Sequence, residues 1–233
     1  MSASSLPGKS GSSEPRDGRE KPRVSGVRIS RVDFLRAQPR SPGEASFFFN
    51  DYHFQYDAVK VLPGEYFVST QDLLITTVLG SCIAACVWDS KARVGGMNHF
   101  MLPDGDSSDG FGRYGSYAME LLINEMLKKG AKRETIQAKV FGGAQVMAGF
   151  TSMNVGEKNT KFVIDYLATE RIPVVSQDVL DIHPRKVCFF PISGKALVKR
   201  LAHSHPETLV VEERKGNAAV LARSTSGGSV DLF

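Results

Sequence analysis

Two residues in this chain have the types and spacing for covalent amide chemistry: Cys82 and His99. A thiolate, not a thiol, is the nucleophile, and an imidazole within reach can take the thiol proton and later protonate a departing amine. Between the two residues lie two β-compatible runs, Ile-Ala-Ala-Cys-Val-Trp at 83–88 and a second at 93–102. The polar turn Asp89-Ser-Lys-Ala92 separates them. A hairpin centred between Ser90 and Lys91 puts residue 82 directly opposite residue 99. Opposed residues on antiparallel strands share a face, with Cβ atoms ~4.5–5.5 Å apart. A slip of one residue would send the two side chains to opposite faces, so the expectation depends on register. Cys82 also follows Gly80-Ser81, at a break between strands. Backbone N–H groups there, starting with that of Cys82, are candidate donors to a tetrahedral oxyanion.

The other reactive residue types carry less. Cys86 and Cys188 sit in apolar runs and read as small core residues. His53, His183, His203 and His205 have no comparable link to Cys82 and read as solvated or structural. On one strand Cys82 and Cys86 stand ~13 Å apart, too far for a disulfide without rearrangement. That spacing argues against a redox thiol protein. No second cysteine pair is present to complete a structural zinc site, and no metal or cofactor is expected. Gly142-Gly143 lacks the Lys-Ser/Thr ending of a phosphate loop, and is assigned to close backbone packing or the wall of a substrate site.

The elements that position the pair are legible in outline. The ordered chain is expected to begin at 47–52, with a turn at Leu62-Pro-Gly-Glu65 and strands at 66–69 and 73–79. A loop dense in Asp, Ser and Gly covers 103–113. Ser116 then caps a helix over 117–129, with Ala118, Leu121, Leu122 and Met126 on one stripe and Gly130 just past its end. A strand at 139–141, a helix at 159–169, and strands at 172–176, 186–190 and 196–201 follow. Mixed strands with two substantial helices imply an α+β domain.

Composition sets the frame. Residues 1–46 hold nine Lys/Arg and five Asp/Glu, which accounts for the whole net charge of +4. The remainder has twenty of each sign, so the folded part offers no basic surface for nucleic acid. Residues 1–45, rich in Ser, Pro, Gly and Arg, are expected to be a disordered basic tail, residues 46–204 the domain, and residues 205–233 a partly flexible extension. No apolar stretch approaches a membrane span, no secretory signal opens the chain, and three cysteines suit a reducing cytoplasm.

Several motifs together resemble one family. Thr76-Thr-Val-Leu-Gly-Ser-Cys82 and Gly95-Gly-Met-Asn-His-Phe-Met-Leu-Pro103 are similar to the CheD family, chemoreceptor glutamine deamidases of bacterial chemotaxis. Tyr117-Ala-Met-Glu-Leu-Leu-Ile-Asn124, Lys139-Val-Phe-Gly-Gly-Ala144, Val155-Gly-Glu-Lys-Asn159, Arg185-Lys-Val-Cys-Phe-Phe-Pro191 and Ser193-Gly-Lys195 extend the likeness over about residues 47–200. The resemblance implies catalytic Cys82 and His99, with Thr76 as a third polar member and Thr77 beside it. It implies a layered α+β fold of packed sheets and flanking helices, like deamidating toxin domains. It also implies conversion of receptor glutamines to methylatable glutamates through a Cys thioester. Its expected partners are the cytoplasmic helices of methyl-accepting chemoreceptors and a CheC-type chemotaxis phosphatase. One departure is plain: many members carry Asp-Leu-Gly-Gly where this chain has Asp178-Val-Leu-Asp181. A regulator of chemotaxis that binds receptors or a phosphatase and does not depend on catalysis is the alternative reading.

Overall fold

The computed structural model describes residues 30–102, 108–145 and 155–202, with the side chains of 108–113 set aside. The strands are β1 (Phe47–Asp51), β2 (Tyr56–Lys60), β3 (Tyr66–Ser69), β4 (Leu74–Leu79), β5 (Ile83–Asp89), β6 (Val94–Asn98), β7 (Ile136–Gly142), β8 (Val174–Val179), β9 (Arg185–Phe190) and β10 (Lys195–Arg200). The helices are α1 (Arg31–Ala37), α2 (Ser108–Lys128) and α3 (Val155–Thr169). One sheet runs β1-β2-β4-β9-β10 and the other β3-β6-β5-β7-β8. Both are mixed, because β2 pairs with β4 and β7 with β8 in parallel while the other pairs are antiparallel. The α+β class expected from the sequence is the class found.

Alternation of side chains assigns the faces. Ala84, Cys86 and Trp88 of β5 enter the core between the sheets, with Met97 of β6, Ile75 and Leu79 of β4, and Val187 and Phe189 of β9. Ile83, Ala85 and Val87 point the other way, under α2 and α3. Because β5 is covered on both faces, it reads as an unbroken apolar run. On α2, Met119, Leu122, Ile123 and Met126 are essentially inaccessible; burying each contributes ~1.5–3 kcal/mol. Gly130 ends this helix at φ 99°, as the sequence suggested.

Several elements differ from expectation, among them α3, which starts at Val155 and not at 159, and β8, which spans Val174–Val179 and not 172–176. Residues 31–37, expected within the tail, form α1, which docks on the domain: Ser30 caps it at Asp33, and Val32 and Leu35 enter the inter-sheet core. Two apolar residues three apart were masked by the Pro- and Arg-rich surroundings. Helix α2 starts at Ser108, so it absorbs Gly110 and Gly112 of the expected loop as well as Gly115, which precedes the expected cap. The reason at Gly115 is packing, since a Cβ there would stand 2.4 Å from the Phe162 ring of α3. Strand β2 lies in a stretch left without an element; it sits between β1 and β4 and fixes their order. Among the described residues no helix is long and apolar enough to cross a membrane.

Candidate active site

One end of the sandwich gathers the end of β4, the start of β5, the ends of β6, β7 and β8, and the start of β9. Cys82 stands there, immediately before β5, and is fully buried. It belongs to the inter-sheet core. His99 follows the last residue of β6 and is also buried, at 2% exposure.

The hairpin carrying the pair has a different register from the expected one. Asp89 pairs with Val94, Cys86 with Met97, and Ile83 bridges Phe100. The connection is 90–93, one position later than expected, and the pairing is displaced by two. Asp89 holds the turn: its carboxylate accepts the N–H of Lys91 at 2.9 Å and of Ala92 at 3.0 Å. Arg93 completes it at φ 55°. A shift of two preserves the face, since the strand period is two. Cys82 is therefore the diagonal neighbour of His99 and not its direct partner. Diagonal Cα atoms lie ~7–8 Å apart, with Cβ atoms closer, within reach of an imidazole.

The third polar residue also differs. Residues 76 and 77 point to opposite faces of β4. The Thr76 hydroxyl donates to Val187 O at 2.8 Å and lies 3.5 Å from Cys188 Sγ, away from His99. Thr77 faces the inter-sheet side, where its Oγ1 is 2.8 Å from His99 Nδ1 and 2.7 Å from Val61 O.

This network assigns the imidazole tautomer. Val61 O can only accept, so the Thr77 hydroxyl donates to it and uses a lone pair for the Nδ1–H of His99. Nδ1 is also 3.4 Å from Val61 O, a second acceptor. Nε2 is then the bare nitrogen. It is buried and has no hydrogen-bond partner among the described residues. Burial pulls the His99 pKa down to about 4, opposed by the Val61 carbonyl and assisted by Lys60. At neutral pH the ring is an uncharged base.

Other groups hold the nucleophile segment, and sequence reasoning did not single them out for it. Asn159 of α3 is fully buried; its amide donates to Ser81 O at 2.9 Å and accepts from Leu102 N at 2.9 Å. It ties the residue before Cys82 to the segment after His99. Gly143 N donates to Cys82 O and Ala144 N to Gly80 O, both at 2.8 Å. Ile83 N is engaged with Phe100 O, so it cannot serve an oxyanion. Tyr114 of α2 is buried, and burial together with the negative potential of Cys82 pushes its pKa up to about 12. It is a neutral phenol near the thiol. The Asn159 signal was present in the quoted motif, whereas Tyr114 was hidden by the unforeseen start of α2.

The departure at 178–181 has a structural reading. Leu180 and Asp181 adopt φ 63° and 69°, the left-handed region that favours glycine. This chain keeps the backbone conformation that Gly-Gly would favour, with side chains that strain it. Arg185, fully buried, clamps the segment: it pairs with Asp178 Oδ1 at 2.8 Å and donates to Asp178 O and Leu180 O. Leu180 N donates to Gly142 O at 2.9 Å and Gln145 N to Asp181 O at 2.8 Å. Replacing Leu180 by Gly is expected to stabilise the fold by ~0.5–1 kcal/mol, after the added freedom of the unfolded chain is subtracted. That is a rise in Tm of ~2–3 °C, read by calorimetry. A fall in Tm would show that packing by Leu180 outweighs its strain.

Cys82, Cys86 and Cys188 are all buried. Burial raises the Cys86 pKa, which leaves that residue an inert packing thiol. Among the described residues no group of three or more His, Cys, Asp or Glu is placed to hold a metal ion.

Comparison with known proteins agrees with the motifs. Residues 101–200 match the family model described as CheD chemotactic sensory transduction. A protein of Albidiferax ferrireducens named probable chemoreceptor glutamine deamidase CheD 1 is 81% identical over 210 residues, covering 90% of each chain. Proteins named probable chemoreceptor glutamine deamidase CheD from Methylobacillus flagellatus and Thiobacillus denitrificans are 48% and 52% identical. The alignments cover 84% and 78% of this chain, and 100% and 93% of those proteins. Among solved structures, Bacillus licheniformis hypothetical protein YfiH aligns over 50% of this chain and 51% of its own at a TM-score of 0.32 and 12% identity, too slight a likeness to bear on fold or function. Identity of this extent, running through the segments that hold Cys82 and His99, places the chain in the CheD family.

Proposed function

We propose that this protein is a chemoreceptor glutamine deamidase that works in the cytoplasm on the cytoplasmic helices of methyl-accepting receptors. The names of its relatives support the substrate. The observation that carries the chemistry is the His99 ring, with Nδ1–H held by Thr77 and a bare Nε2 on the face that Cys82 occupies. His99 Nε2 takes the Cys82 proton, and the thiolate attacks the glutamine amide carbon. The carbonyl electron pair moves to oxygen, where the N–H of Cys82 is the first candidate donor. Collapse breaks the C–N bond, and ammonia leaves with the proton held on Nε2. Water, deprotonated by the same nitrogen, then cleaves the thioester to give glutamate and return the thiol. Asn159 and Thr77 are positioning residues. A CheC-type chemotaxis phosphatase is proposed as a second partner on the family resemblance alone.

The test is mass spectrometry of a recombinant receptor cytoplasmic fragment incubated with the protein. The expected result is a gain of about one dalton at specific glutamines, with one ammonia released per event. Binding without any mass gain would instead favour a regulator that does not depend on catalysis.

A further inference from the structure

Beside the candidate nucleophile lies an exposed apolar feature that the mechanism does not use. Leu180 is 38% exposed and Ile182 52%, both on the strained segment after β8. This segment is joined to the site by backbone. Cys82 O is bonded to Gly143 N, and Gly142 O to Leu180 N. β5, β7 and β8 are successive neighbours in one sheet. Two strand spacings separate Leu180 from Cys82, ~10 Å across the strand ends. That is the diameter of a helix with its side chains, or two turns along one.

Strained non-glycine backbone persists where the surroundings over-determine it, and it clusters at functional sites. Here Arg185, Arg200, Gly142 and Gln145 all hold the segment. Asp178 and Asp181 are paired with Arg185 and Arg200. These charges are thus paired with one another, and Leu180 and Ile182 are the apolar side chains the segment exposes beside them.

We propose that Leu180 and Ile182 form an apolar lip that receives the substrate helix, taking an apolar side chain about two turns from the target glutamine. The proposal rests on the deamidase reading for its occupant, a receptor helix, and on continuity with the Cys82 site for its place. The lip sets which glutamines are presented: a glutamine with a polar residue two turns away is a poor substrate.

The test uses the full chain and a recombinant receptor cytoplasmic fragment. The Leu180→Gly, Ile182→Ser double variant is expected to raise KM for the fragment about tenfold, with the loss in KM and not in kcat. Leu180→Gly relieves strain, so unfolding does not account for that loss, and Tm is recorded alongside. Phe34→Ser, which removes an equally exposed aromatic residue from α1, is the control and leaves KM unchanged. Changing the receptor's apolar residue two turns from the glutamine to Ser raises KM for the parent and adds little in the double variant. A KM within twofold of the parent overturns the lip and leaves the deamidase reading standing. If the parent produces no mass gain at all, Kd of the Cys82→Ala protein for the fragment is compared with and without the lip substitutions. A tenfold weakening then keeps the lip and overturns the chemistry, and an unchanged Kd overturns both.

Discussion

Replacing Cys82 by Ala is expected to lower the rate of ammonia release from a receptor fragment by about 10⁴-fold or more, because it removes the thiol that forms the acyl intermediate. His99→Gln is expected to cost ~10³-fold, the range for losing a positioned general acid and base. Thr77→Val keeps the shape and removes the acceptor for Nδ1–H, which frees the ring to turn toward Val61 O or to take the other tautomer. A loss of ~10–100-fold in kcat follows from misplacing the base. Thr76→Val loses a bond to Val187 O on the far face and costs ~1 kcal/mol of stability with a smaller effect on rate. The order Cys82, His99, Thr77, Thr76 is the prediction, and a larger kcat loss for Thr76→Val than for Thr77→Val would refute the tautomer assignment. The acid limb has a definite sign. His99 is neutral above a pKa of about 4, so the rate falls only as pH drops through that value and Nε2 gains a proton. Its unfolded pKa is ~6.5, so the unfolded chain binds the extra proton first, and stability declines as pH falls from ~6.5 to 4. Activity and Tm measured across that range separate the two effects.

How far the site could be read from the sequence follows from strand parity. Cys82 and His99 fall on one face despite an error in register, because the error is two residues and a period of two is blind to it. The turn was misplaced because Asp89 looks like a loop residue. Its carboxylate in fact caps the turn while its backbone pairs with Val94. The choice between Thr76 and Thr77 was not readable, because Leu74-Ile-Thr-Thr-Val-Leu79 has apolar residues on both faces of a buried strand. No alternation distinguishes the inner face. What distinguishes the two is tertiary: Thr76 meets Cys188 of β9, and Thr77 meets His99 of the opposite sheet. The strain at Leu180 and Asp181 leaves a trace only as a departure from the family pattern. Sheet order was beyond reach, since the parallel pairs β2–β4 and β7–β8 depend on contacts no local pattern encodes.

Gly142→Ala is the second large effect expected. Gly142 ends β7 opposite Ile83 at φ 113°, where an L side chain is strained. Sterics compound the strain: a Cβ would stand 2.1 Å from Cys82 O and 3.2 Å from the Ile83 Cα. Both are backbone atoms, so no rotamer change can relieve the contact. The Cys82 carbonyl must move, and with it the Cys82 amide, the proposed oxyanion donor, and the bond from Gly143 N. A displacement of ~1 Å in a catalytic group costs ~10²-fold in rate, and a strained, overpacked backbone costs ~2–4 kcal/mol of stability. Gly130→Ala separates these causes. Gly130 has a comparable φ of 99°, but an added Cβ there meets nothing within 4 Å. That variant should lose ~1–2 kcal/mol of stability from strain alone, with kcat unchanged. A kcat for Gly142→Ala within threefold of the parent, measured where the variant is fully folded, would mean that the Cys82 carbonyl is not held in place by this wall. If instead Gly142→Ala loses rate and Gly130→Ala does not, Gly142 is explained by the room the nucleophile's backbone requires, while Gly143 beside it makes room for Thr160 and Gly156 of α3.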